Sequence, residues 1–168
     1  MTFSVTRRSW VAGCSAAIAL ALTRPGGQAF ADEMFSLLTD EELDLLRKNP
    51  LSDDESDTRA LTFAENAGPI IQMASPTGLT LKSPVSFDVR IKPKDGVPVA
   101  MSSLKVEYKL GPFWTDITGR LAGHGSVVGT RLKAKGAKLP LGKHKVQLTI
   151  LDVDGRRTRA VATFAVIG

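Results

Sequence analysis

The sequence predicts an all-β protein, an antiparallel β-sandwich of about seven to eight strands preceded by a leader and an acidic arm. Three observations carry this. From residue 68 onward, apolar and polar side chains alternate with a period of two. Gly, Pro and Asp-Gly turn signals recur at short intervals between the alternating runs. No long helical period interrupts them, which argues against a parallel α/β sheet.

The chain has 168 residues, a formal net charge of +5, one Cys, two His, one Tyr and two Trp. With 43% hydrophobic and 23% charged residues, it has the composition of an ordinary folded domain rather than a disordered chain. A single Cys excludes a disulfide framework and a Cys-based zinc site.

Residues 1–31 read as a targeting leader and stand apart from the fold. They hold Arg7, Arg8 and Arg24, no acid, and an apolar stretch over 11–22 too short to span a bilayer. Ala29-Phe30-Ala31 is a small-x-small cleavage signal, with the cut after Ala31. Thr6-Arg7-Arg8-Ser9-Trp10-Val11 resembles the twin-arginine translocation motif, with Trp10 at the usual Phe position and Val11 at the Leu position. The resemblance implies export of an already folded chain to the periplasm. Val11-Ala12-Gly13-Cys14 has the look of a lipoprotein box, but most of the apolar core follows it, and the cut removes Cys14. No transmembrane span is expected in the mature chain.

Beyond the cut, charge is divided. Residues 32–66 carry eleven acids and three bases, net −8, while residues 67–168 carry sixteen bases and six acids, net +10. The acidic arm, 32–66, contains one short helix. Thr39 and Glu42 form a capping box, and Leu38 and Leu43 are spaced as a hydrophobic staple. Asp40, Glu41 and Glu42 occupy the positive first turn, Arg47 and Lys48 the negative last turn, and Asn49-Pro50 stops the helix. About ten residues are marginal alone, so the Leu43 and Leu46 face must dock. Residues 50–66 read as a polar linker. The arm is either a spacer or a cover for the basic domain.

The domain proper is expected over 67–168. Alternation marks strands at Val85 to Ile91, Leu104 to Leu110, Arg131 to Lys135 and Lys145 to Ile150. Further strands are expected at 69–74, 79–82, 115–121 and 157–167, with turns at 76–78, 94–96, 111–112, 123–129, 140–142 and 154–155.

ASPTGLTLKSPVSFDVRI (74–91) resembles the opening of bacterial immunoglobulin-like domains, including the copper-resistance periplasmic proteins. LPLGKHKVQLTILDVDGRRTRAVATFAVIG (139–168) is similar to their closing hairpin. The resemblance covers the two ends of the domain, leaves 92–138 unmatched, and implies an immunoglobulin-like sandwich. It does not carry over copper binding. That family has His ligands near the mature N-terminus and beside the closing turn, where this chain has Asp32-Glu33-Met34 and Arg156.

Reactive chemistry is sparse. His124 sits between two glycines and His144 opens a strand, so both read as surface or turn residues, and neither belongs to a spacing that supplies three or four ligands. Asp152-Val153-Asp154-Gly155 reads as a hairpin turn rather than a calcium loop, because Arg156 and Arg157 follow it. No Gly-x-Ser-x-Gly elbow is present, and Asp116 has no sequence signal pairing it with Asp88 or Asp95. No enzyme activity, metal or cofactor is expected. Phe113 and Trp114 read as a core plug in preference to a partner anchor.

The strongest remaining signal is basic. Lys105, Lys109, Arg131, Lys133, Lys135, Lys138, Lys143 and Lys145, with Arg156, Arg157 and Arg159, form a cationic patch if their strands are neighbours. Such a patch suits an envelope protein, an anionic glycan or a lipid surface. Nucleic acid is not expected for an exported protein with few exposed aromatics. The sequence therefore points to an exported, non-catalytic binding or accessory domain that docks an envelope protein, of which a co-exported redox enzyme is one candidate. The alternative is a periplasmic small-ligand or metal carrier of the copper-resistance type.

Overall fold

The computed structural model describes residues 34–51 and 61–168. These fall within one unit, Ala31–Gly168. The leader residues Arg7, Arg8, Trp10, Ala29 and Ala31 lie outside the described residues.

In chain order the first elements are β1 (Phe35–Ser36), α1 (Asp40–Lys48), β2 (Leu61–Asn66), β3 (Ile70–Ser75), β4 (Thr80–Lys82), β5 (Val85–Lys92) and β6 (Val99–Leu110). After them come β7 (Phe113–Asp116), α2 (Thr118–Gly123), β8 (Gly125–Val128), β9 (Arg131–Lys138), β10 (Gly142–Asp152) and β11 (Arg157–Ile167). The fold is a β-sandwich. One sheet has five strands in the order β1-β9-β5-β3, with β8 also on β9. The other has six in the order β2-β11-β10-β6-β7, with β4 also on β11.

The alternation read from sequence becomes the core. Val85, Phe87, Val89 and Ile91 of β5 point inward, as do Val106 and Tyr108 of β6, Leu148 and Ile150 of β10, and Phe164 and Val166 of β11. All belong to one apolar cluster drawn from both sheets. Each such aliphatic or aromatic side chain contributes about 1.5–3 kcal/mol by leaving water. The β10–β11 hairpin runs through ten paired positions, from Gly142 opposite Val166 to Leu151 opposite Arg157.

The turn closing that hairpin is tied by Asp152. Its Oδ1 accepts the amides of Asp154 (3.0 Å) and Arg156 (2.9 Å), and its Oδ2 accepts Arg156 Nε at 2.7 Å. Gly155 takes φ 79°, a conformation that favours glycine. The chain leaving β2 crosses hard against this turn. A Cβ on Gly68 would lie 2.2 Å from the Arg156 carbonyl oxygen, so only glycine fits there.

Three expectations need correction. Residues 61–66, read as linker, form β2, which pairs antiparallel with β11, placing Phe63 opposite Ala160 and Leu61 opposite Ala162. The short apolar alternation was hidden behind the acidic run before it. Second, the arm is not peripheral. β1 pairs parallel with β9, and Phe35, Leu37 and Leu38 are buried. Third, residues 115–121 divide between β7 and α2. Ile117 and Leu121, four apart and both fully buried, follow a helical rather than a strand period.

Helix α1 forms as its caps dictate. Glu42 N–H donates to Thr39 Oγ1 (3.3 Å), and Thr39 N–H donates to Glu42 Oε2 (2.8 Å). Leu43 and Leu46 pack against the apolar cluster, so the helix docks on its own sandwich.

Candidate functional site

Period-two alternation sends one set of side chains outward from each sheet. On the five-stranded sheet, β5 presents Asp88, Arg90 and Lys92, and β9 presents Arg131, Lys133 and Lys135. The register sets Arg90 opposite Arg131, and Asp88 opposite Lys133. The flanking strands add no charge to these rows: Gln72 of β3 lies opposite Arg90, and Ser126 and Val128 of β8 lie opposite Lys133 and Arg131.

Asp88 is the single acid of these two strands. Arg131 grips it with both Nε (2.7 Å) and Nη2. The Arg131 hydrogen bonds hold the Asp88 carboxyl below the usual carboxylate range against the opposing effect of desolvation, and the nearby charges of Arg131, Lys133 and Arg90 add to this. On β5 and β9 themselves, Arg90, Lys92, Arg131 and Lys133 thus gather around one acid.

The six-stranded sheet is mixed in charge. Lys105 and Lys109 of β6, and Arg157 and Arg159 of β11, share its outer side with acids. Glu107 accepts Lys105 Nζ at 2.6 Å and Gln147 Nε2 at 2.9 Å. Glu65 of β2 lies 3.3 Å from Arg159 Nη1 and 3.9 Å from Arg157 Nη1. Lys109 Nζ stands 5.0 Å from the centre of the Trp114 ring.

The basic patch read from sequence is therefore two surfaces. Arg131, Lys133 and Lys135 lie on one sheet, and Lys105, Lys109 and Arg157 on the other, while Lys145, expected in the patch, is buried at its position on β10 and adds no surface charge. Arg156 joins neither, being drawn into the turn by Asp152. Alternation fixes which residues face out, but not which sheet a strand joins. The chain from β7 through α2 and β8 carries β9 across to the opposite layer. Sequence reading left Arg90 and Lys92 out of the patch, although they alternate with Val89 and Ile91 and carried the same signal.

No protein-family model matches the chain, and neither does any curated protein or solved structure.

The two histidines serve separate local ends. His124 stacks on Phe35, with ring centroids 4.2 Å apart and planes 7° from parallel. His144 is fully buried, contrary to the surface reading. Its Nε2 lies 2.9 Å from the Pro140 carbonyl oxygen, which can only accept, so Nε2 carries the proton. Nδ1 is then the acceptor for the Tyr108 hydroxyl. Both ring nitrogens are engaged within the chain. Among the described residues no three His, Cys, Asp and Glu side chains are placed to share a metal ion.

The three aspartates considered as a carboxylate pair go separate ways: Asp88 to Arg131, Asp116 to the Thr118 amide at 2.8 Å, and Asp95 toward Arg156 at 3.4 Å. Phe113 and Trp114 are not a core plug. Phe113 is 70% exposed and Trp114 is partly so, because β7 is the outermost strand of its sheet. No helix among the described residues is long and apolar enough to cross a membrane.

Proposed function

We propose that this chain is an exported, non-catalytic binding module that docks an acidic protein of the cell envelope through the outer face of its five-stranded sheet. One observation carries the reading: Arg90, Lys92, Arg131 and Lys133 gather on that face, where Asp88 is the one acid on β5 and β9. Rows of cations on a rigid sheet speed encounter with an acidic partner and select against basic ones. The leader, with Arg7-Arg8 and Ala29-Phe30-Ala31, supports export to the periplasm by the twin-arginine route. The parallel edge pairing of β4 with β11, beside the β11-β10-β6 order, supports the immunoglobulin-like version of the sandwich. A co-exported redox enzyme is a partner of the expected kind, since it too would cross the membrane folded.

The test is recovery of the tagged full-length protein from fractionated cells at native expression. The wild-type protein is expected in the periplasmic fraction with a stoichiometric acidic companion that salt releases. The Arg90→Glu/Lys133→Glu variant should recover about tenfold less of it. Equal recovery by the variant would refute the docking face. Unchanged periplasmic yield for Arg7→Lys/Arg8→Lys would refute the export route.

A further inference from the structure

The outer side of the six-stranded sheet carries a second feature, of different chemistry. A shallow groove of about 500 Å³ is lined by Lys105, Trp114, Gln147, Thr149, Arg157 and Arg159. Its floor is set by strand register. Thr149 of β10 lies opposite Arg159 of β11 on one side and Lys105 of β6 on the other. A hydroxyl therefore sits between two cations in one row across three strands. Leu151 opposite Arg157 forms the next row.

The hydrogen-bonding capacity of this row is only partly used. Arg157 and Arg159 share one carboxylate, Glu65. A guanidinium has five N–H donors, so two of them cannot be satisfied by a single carboxylate. Arg159 Nε is buried without a hydrogen-bond partner. At the far side Lys105 is neutralised by Glu107, which also orients the Gln147 amide. The indole of Trp114 forms an apolar wall, steadied by Lys109.

We propose that this groove binds an acidic saccharide, a chain of uronate sugars, with the carboxylate taken by Arg157 and Arg159 and the ring lying along Trp114. Planar guanidinium and amide forks match a carboxylate or a pair of neighbouring hydroxyls. An indole beside them covers the apolar C–H face of a sugar ring. The open, polar shape suits a polyhydroxylated ligand better than a greasy one, which would need an enclosed apolar cleft. The proposal stands apart from the protein-docking face, which lies on the other sheet.

Trp10 and Trp114 are the only tryptophans, so a full-length Trp10→Phe protein reports on the groove through Trp114 emission alone. It would be titrated with a galacturonate oligomer, a neutral malto-oligosaccharide of the same length, and inorganic phosphate at matched ionic strength. A saturable change is expected with the galacturonate oligomer only. Arg157→Gln/Arg159→Gln should raise its half-saturation about tenfold or more. Glu65→Gln, which leaves both guanidinia in place and removes their shared carboxylate, should lower it. Lys133→Gln, on the other sheet, should leave it unchanged. An equal response to the neutral sugar or to phosphate, an absent response, or sensitivity to Lys133→Gln with indifference to Glu65→Gln would each overturn the proposal.

Discussion

Arg120 of α2 and Glu42 of α1, 78 residues apart, meet as a two-pronged ion pair, with Nη2 to Oε1 at 2.9 Å and Nη1 on Oε2. Nη1 also donates to the Leu37 carbonyl oxygen at 3.0 Å. Glu42 is at the same time the N3 residue of the α1 capping box. One carboxylate therefore starts the helix and fastens it to the sandwich.

Replacing Arg120 with Ala should loosen α1 and cost about 2 kcal/mol, the range for a hydrogen bond to a charged group with little exposure. Burial acts to raise the Glu42 carboxyl, but the Arg120 hydrogen bond and charge, with the Thr39 amide, outweigh it and hold it below its ordinary value. A depressed acid stabilises the fold above the unfolded value of 4.5 and loses that contribution as pH falls through the lower folded value. Urea denaturation of Glu42→Gln should show a flatter acid limb than the wild-type protein. Identical limbs would show that the pair contributes nothing.

Tyr108 and His144 bracket the pH range from both sides. Burial lowers the His144 imidazole below 6.5, with the Pro140 hydrogen bond opposing, so the folded protein holds it neutral. The unfolded chain takes up that proton first, and stability should fall as pH drops below about 6.5. Burial, then the charge of Glu42, pushes the Tyr108 phenol well above its ordinary 10.0. Stability should fall again once the unfolded phenol ionises above that value. Tyr108→Phe leaves Nδ1 of His144 buried and unpaired, and is expected to cost about 1–3 kcal/mol. Denaturation midpoints from pH 5 to 11 test all three statements.

Leu37 is fully buried although it lies in the acidic arm. Leu37→Ala should cost about 2–5 kcal/mol, as for a core leucine. A surface arm would tolerate it within about 0.5 kcal/mol. Thermal or urea melts distinguish these outcomes. Removing residues 32–66 to expose the basic domain would also remove β1 and β2, and should unfold the protein rather than unmask it.

Asp88→Asn deletes the one acid that β5 and β9 place on the cationic face of the five-stranded sheet. The variant should elute from an anionic resin at higher salt than the wild-type protein. Its stability should change by about 1 kcal/mol at most, because Arg131 retains solvent access. Unchanged elution would mean that this face does not govern binding to polyanions.

The layered β architecture was legible because inward and outward positions repeat every second residue, as in Val85 through Lys92. The α1 capping box was legible because Thr39 and Glu42 stand in a fixed local relation. Non-local pairing was not. Nothing local in Phe35 and Ser36 indicates that they lie beside Ala137 and Lys138. Ile117 and Leu121 make too short a helical signal to outweigh the strands around them. The same gap split the candidate site. Lys105 and Lys133 carry the same outward signal, and only the crossing of the chain through α2 and β8 assigns them to opposite layers.

The placement of β11 has a consequence for biosynthesis. This strand, near the C-terminal end of the sequence, lies between β10 and β2 and also borders β4. A nascent chain can pair β10 with β6 as soon as both have emerged, but among the described strands β2 and β4 have no neighbour in their sheet until residues 157–167 leave the ribosome. Closing those long loops is the slow, entropically costly event. The completed sheet therefore waits on the synthesis of β11, and until then β2 and β4 are open to chaperones.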